Sequence, residues 1–222
     1  MTRSARLEDA LRRGMGRTAE IIGAWCHTYR PRGAGPALDP MNRTLRLLAG
    51  FGPPTEGWRS PGYGKVVWFG YFDAAYTAVG DYVVRSDSHF GAKDGGVWFV
   101  IAQEILQPVL CVRTNRTVDI LRPAAIGQLG VNGYGGLDRA SATSVATGWP
   151  AAVLSAGRGG AASAGLPSDV PAGSWLVLLP ASVAEILRGG DMIADDLGRT
   201  AIIADAELTH HGWRVTARQA ST

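Results

Sequence analysis

The sequence predicts a mainly β protein: two tandem small β-barrels or sandwiches of about five strands each, preceded by one N-terminal helix and an extended arm. Three observations carry this reading. Runs rich in β-branched and aromatic residues, such as Val66-Val67-Trp68-Phe69-Gly70-Tyr71-Phe72 and Val97-Trp98-Phe99-Val100-Ile101-Ala102, are separated by Gly, Pro, Asp and Ser. The 30 Gly and 12 Pro favour many turns over long helices. The same grammar also occurs twice. Each half shows a first strand, a long Gly/Pro loop, an apolar strand with a Trp (Trp68, Trp175), a Gly-Asp pair (Gly80-Asp81, Gly190-Asp191), a hairpin and a closing alternating strand. Gly takes positive φ and Asp is expected to cap the following amides, which makes a tight turn. Closure into a barrel hides sheet edges. Roughly 50 structured residues per unit are marginal for independent stability, so the units are expected to pack on each other or on neighbours.

The elements follow in order. Over residues 4–24, Leu7, Leu11, Met15, Thr18 and Ile22 form one helical stripe, with Arg6, Arg12, Arg13 and Arg17 mostly off it. Gly14 and Gly16 weaken the middle, each by about 1 kcal/mol relative to Ala. Such a helix needs packing, either on its own barrel or on a neighbouring subunit. Residues 29–40, which include Arg30 and Arg32, hold too many Pro and Gly for a regular element and read as an arm, so 1–40 is taken as helix and arm. From 43 to 51, Leu45, Leu47, Ala49 and Phe51 alternate with polar residues as in a half-buried strand. The first β unit is assigned to 41–122, with strands near 43–51, 65–73, 81–86, 96–105 and 109–121 and a polar hairpin tip at 86–96. The second is assigned to 123–222. It starts irregularly through 137 and has strands near 142–154, 174–180, 191–195, 200–208 and 213–219. A Gly/Ala/Ser-rich loop at 155–173 cannot build a core.

Of the 222 residues, 46% are hydrophobic and only 18% are charged. A low charge fraction leaves surface able to lose water against a neighbour. Residues 1–60 hold ten Arg against five acidic residues, whereas the remainder holds twelve basic against fourteen acidic. A basic N-terminal third suits nucleic acid, an acidic protein ring, or simply a solvated helix face. Cys26 and Cys111 form no metal-type spacing and read as reduced, buried thiols. The charged N-terminus lacks the apolar core of a signal peptide. No apolar run approaches the ~20 residues that span a bilayer, so no membrane insertion is expected.

Enzyme motifs are not found. There is no Gly-x-Ser-x-Gly elbow and no phosphate loop, and Lys occurs only at 65 and 93. Gly130-Val131-Asn132-Gly133-Tyr134-Gly135-Gly136 lacks the dinucleotide fingerprint. His210 and His211 sit in a predicted turn and are poorly placed to chelate. Asp195-Asp196-Leu197-Gly198 reads as a hairpin turn, not a calcium loop. Cys26-His27 lacks an orienting third group. Trp68, Trp98, Trp175 and Trp213 lie in strands, where core packing is the expected use. The sequence thus assigns no catalytic residue, metal or cofactor.

Several segments, taken in order, resemble a virion protein of tailed bacteriophages and related prophages, of the head-to-tail (neck) region. They are Gly80-Asp81-Tyr82-Val83-Val84, Trp98-Phe99-Val100-Ile101-Ala102-Gln103, Pro108-Val109-Leu110-Cys111-Val112-Arg113-Thr114-Asn115-Arg116-Thr117-Val118, Thr147-Gly148-Trp149-Pro150-Ala151, Leu166-Pro167-Ser168-Asp169-Val170-Pro171-Ala172-Gly173-Ser174-Trp175, Gly190-Asp191-Met192-Ile193 and Ala206-Glu207-Leu208-Thr209-His210-His211-Gly212-Trp213-Arg214. The resemblance spans roughly residues 60–219 and lies in the order of the segments. It implies a structural, non-enzymatic connector, adaptor or collar: a ring of six or twelve copies at the portal vertex, made in the host cytoplasm and incorporated into the virion. Its partners are the portal protein, other neck and tail proteins, and genomic DNA that passes without sequence-specific contact. Arg6, Arg12, Arg13, Arg17, Arg30 and Arg32 become candidate portal or assembly contacts. Arg113, Arg116, Arg214 and Arg218, read as outward-facing, become candidate lumen or interface residues. Single-barrel connectors are more usual, so the duplication is a departure from the family pattern. Two other classes stay open: another virion component (capsid decoration, tail-tube or fibre-associated protein) and a hydrolase with an unrecognised site.

Overall fold

The computed structural model describes residues 3–53, 66–86, 95–104, 107–123, 142–155 and 173–219. The expected loop at 155–173, the hairpin tip at 86–96 and the irregular stretch up to 137 fall largely outside them. One helix, α1 (Arg3–Ile22), is followed by β1 (Ala24–Tyr29), β2 (Arg43–Gly52), β3 (Val67–Tyr71), β4 (Tyr82–Arg85), β5 (Val97–Ala102) and β6 (Val109–Arg113). Then come β7 (Arg116–Arg122), β8 (Thr143–Ser155), β9 (Ser174–Leu179), β10 (Met192–Asp195), β11 (Thr200–Thr209) and β12 (Gly212–Gln219).

The chain is mainly β, as expected, and the strands close into two antiparallel barrels. In the first the order is β1-β2-β3-β6-β5-β4, with β4 returning to β1. In the second it is β7-β8-β9-β12-β11-β10, with β10 returning to β7. The two orders are the same strand for strand. Each barrel has six strands, not five, and the missing strand is the same in both. β1 lies where the end of the helix and the start of the arm were expected, separated from α1 by Gly23 alone. A Cβ at Gly23 would stand 2.3 Å from the Ala19 carbonyl oxygen, so only glycine permits so abrupt a turn. β7 overlaps the end of the strand expected at 109–121. That stretch is two strands in different barrels, joined by Thr114-Asn115. The division between β units therefore falls at 114–115 and not at 122, and residues 24–29 belong to the first barrel and not to a separate N-terminal segment.

The interior of barrel 1 is filled by Cys26, Ala49, Phe72, Val83, Trp98, Val100, Val109 and Cys111. A second core fills barrel 2 and extends to the outer face of β4, β5 and β6, where Tyr82, Phe99, Ile101 and Val112 are buried. This explains the unbroken apolar run over Val97–Ala102: both faces of β5 are covered. By contrast β12 alternates, with Trp213, Val215 and Ala217 buried and Arg214, Thr216 and Arg218 exposed. Polar contacts pin the junction. The Tyr82 hydroxyl donates to the Pro150 carbonyl at 2.7 Å, and its ring meets Trp149 edge-on at 6.2 Å. The Ser182 hydroxyl donates to the Gly80 carbonyl at 2.9 Å. The arm crosses to barrel 2, where the Thr147 amide donates to the Ala34 carbonyl at 3.0 Å.

Helix α1 packs on β2 and β3 of its own barrel. Its covered line is Leu11, Met15 and Ala19, not the whole expected stripe. Leu7 and Ile22, at the two ends, remain exposed. Among the described residues no helix is long and apolar enough to cross a membrane.

Candidate functional site

Three groups of charged side chains stand out among the described residues. The first is a pair of equivalent clamps. Gly80 and Gly190 both have φ of +92°, and each is followed by a buried Asp. Arg30, just past β1, donates from Nε and Nη2 to the two carboxylate oxygens of Asp81, both at 2.8 Å. Arg122, ending β7, does the same to Asp191, both at 2.9 Å. Each Asp accepts from the amide three residues earlier, Ala78 at 2.8 Å and Arg188 at 3.0 Å. The aspartates thus bind the amide behind them, not the amides ahead as the turn chemistry suggested. The hydrogen bonds to Asp81 and Asp191 raise the pKa of both guanidiniums. Arg30, a candidate portal contact, is therefore held in a turn clamp, whereas Arg32 lies exposed on the arm. Both aspartates are expected from the sequence as turn residues, whereas Arg122 is not. The repeated Gly-Asp pair signalled the turn, but nothing in the sequence marks which arginine closes it.

The second group surrounds α1. Arg13 pairs with Asp9 at 2.8 Å, with both side chains solvated. Arg13 and Arg17 border a shallow groove between α1 and barrel 1 that includes Trp25 and Asp73, and Arg12 borders a smaller one at Phe72 and Val109. Arg6 is exposed near the start of the helix.

The third group lies where the barrels join. Arg113 pairs in register with Trp98, so it shares the inward face of barrel 1 and emerges at the mouth; it does not face outward as expected. Its guanidinium stands over the rings of Trp68 at 5.5 Å and Trp98 at 5.9 Å. Arg116 begins β7 on the alternation of the buried Val118 and Ile120. It donates to the Asn115 carbonyl at 2.8 Å, and its closest carboxylate, Asp196, is 3.9 Å away. Both arginines line one cleft of about 720 Å³. Arg214 and Arg218 lie elsewhere, on the exposed face of β12. Four candidate lumen residues thus divide into two pairs.

The remaining titratable groups fit structural roles. Burial pushes the Cys111 thiol and the Tyr82 hydroxyl up. Both cysteines are buried, and neither forms a disulfide. Partial burial, then the charges of Arg43 and Arg46, lower the pKa of His27. Burial alone would raise the Asp195 carboxyl. The Arg199 side chain, with the backbone amides of Arg199 and Leu197, outweighs it and holds the group low. These bonds close the β10–β11 hairpin, whose Gly198 has φ of +77°. His210 and His211 occupy the β11–β12 turn, and His211 Nδ1 lies 3.3 Å from the Ile101 carbonyl. Among the described residues no three His, Cys, Asp or Glu side chains form a metal-binding group. No family model, curated protein or solved structure matches the chain.

Proposed function

We propose that the chain is a structural, non-catalytic protein of a tailed-phage virion, a head-to-tail connector or adaptor whose copies form a ring of six or twelve at the portal vertex. The observation that carries this reading is the uncovered apolar surface around α1. Leu7, Ile21 and Ile22 are 57%, 85% and 61% exposed beside basic residues. Such side chains cost solvation until a neighbour covers them. Among the described residues the closed barrels present no open sheet edge, so association uses side-chain surfaces and loops. A head-to-tail contact between α1 and a different face of the next copy is heterologous, and heterologous contacts that close make rings. In this reading Arg6, Arg12, Arg13 and Arg17 face the portal or the adjoining subunit, and DNA passes without base readout.

Deleting residues 1–22 tests it, because the cut spares β1. Native mass spectrometry and negative-stain imaging of the full chain are expected to show rings. The truncated chain is expected to be monomeric, with an unchanged β circular dichroism spectrum. A full chain that stays monomeric, or a truncated one that still forms rings, overturns the reading.

A further inference from the structure

We propose that the cleft between the two barrels binds a nucleoside phosphate, either free or as a nucleotide of a single strand. Its volume, about 720 Å³, lies within the roughly 300–1,000 Å³ of sites for small organic ligands. Its lining is amphipathic. Leu38, Val66, Val97 and Pro150 supply apolar surface beside the Trp68 indole, while Arg113 and Arg116 supply two guanidiniums. Among the described residues Arg113 has no carboxylate partner, and Arg116 has only the distant Asp196. Two cations thus face one carboxylate, and the cleft keeps a net positive charge. A guanidinium presents a planar fork of donors that matches phosphate oxygens. A terminal phosphate, with about −1.5 to −2 charges, complements the pair better than a single carboxylate does. The apolar wall and the Trp68 ring suit a flat base, which stacks on aromatic and guanidinium planes alike.

The fold does not need these arginines where they are. Apart from the Arg116 bond to the Asn115 carbonyl, the link between the barrels is held by other side chains. The Asn115 amide donates to the Val153 carbonyl at 2.9 Å and accepts from the Val153 amide at 2.8 Å, and the Thr114 hydroxyl donates to the Val97 carbonyl at 3.0 Å. The position equivalent to Arg113 in barrel 2, set by the shared register, is Gln219. A barrel of this topology therefore closes without an arginine there.

The site does not depend on ring formation, and titration of the full-length chain in any oligomeric state tests it. By calorimetry at low salt, AMP is expected to bind at least about tenfold more tightly than adenosine. Whether AMP or a short oligothymidylate binds more tightly identifies the source of the phosphate. Arg113→Ala and Arg116→Ala should each weaken binding by about tenfold. Arg113→Lys should weaken it too, since it keeps the charge and loses the fork. The paired change Arg214→Ala/Arg218→Ala, on the outer face of β12, should leave it within about twofold. The comparison of AMP with adenosine on the unaltered protein stands even if a variant fails to fold. Equal affinity for AMP and adenosine, no binding of either phosphate ligand, duplex DNA binding as well as the single strand, or an equal loss in the β12 pair overturns the proposal.

Discussion

Barrel 1 and barrel 2 share strand order, the Gly-Asp turn, the arginine clamp and a bulge at the equivalent residue, Ile101 in β5 and Ala204 in β11. They differ on their outer faces. Phe99 pairs with Tyr82 in barrel 1 as Ile202 pairs with Met192 in barrel 2, so the two occupy one position of the repeat. Phe99 is 1% exposed and Ile202 is 36% exposed. The next strand places Val112 beside Phe99 and Arg218 beside Ile202. The shared inner face is what closing a barrel demands. The outer face records what lies next to it: barrel 2 covers β4–β6, and no described element covers β11–β12. The sharpest way to break this comparison is to truncate the equivalent pair. Phe99→Ala should cost about 3–5 kcal/mol, the range for emptying a buried aromatic site. Ile202→Ala should stay within about 1 kcal/mol, as exposed substitutions do. Urea denaturation measures both. Similar losses would mean that the junction between the barrels contributes little.

The clamps invite a finer test. Removing either arginine strands a buried carboxylate, and breaking a buried pair costs roughly 3–5 kcal/mol. Both guanidiniums also reach solvent, at 43% exposure for Arg30 and 28% for Arg122. Screening therefore puts Arg122→Ala at about 3 kcal/mol and Arg30→Ala below it. Arg122 has the larger role because its Nη2 also donates to the Ile186 carbonyl at 2.8 Å. Denaturation midpoints of the two single variants check the order. A larger loss at Arg30 would show that exposure and the extra bond do not set it.

The duplication was legible because tight turns and Trp-bearing strands are local signals. Gly80-Asp81 and Gly190-Asp191 mark equivalent turns, and Trp68 and Trp175 occupy equivalent positions, opposite Cys111 and Ala217. The sixth strand was not legible, for one reason in each half. β1 follows α1 after a single glycine, and β7 follows β6 after two residues, so neither carries a turn signal at its start. The sequence also does not distinguish the outward from the inward face of β6. Val112 and Cys111 are both buried, the first by barrel 2, so hydrophobicity could not say which alternation points inward. An outward Arg113 is expected for that reason, and its register with Trp98 turns it inward. The cleft it shares with Arg116 depends on how two barrels meet, which no local pattern encodes.

The turn glycines give the smallest contrast. Both have φ of +92°, a conformation that costs an L-residue roughly 1–2 kcal/mol. At Gly190 an added Cβ meets nothing within 4 Å, so Gly190→Ala should show only that backbone cost. At Gly80 the Cβ would stand 3.0 Å from both Cβ and Oγ of Ser182, whose hydroxyl holds the Gly80 carbonyl across the junction. Gly80→Ala should therefore cost about 1 kcal/mol more, as the displaced hydrogen bond is lost. Pairing it with Ser182→Gly removes both the crowding and the bond. If the junction is the cause, the double variant should lose less than the sum of the single changes, and a thermodynamic cycle reads that coupling directly. Strict additivity would place the extra cost in the turn itself and leave the two barrels alike at this point.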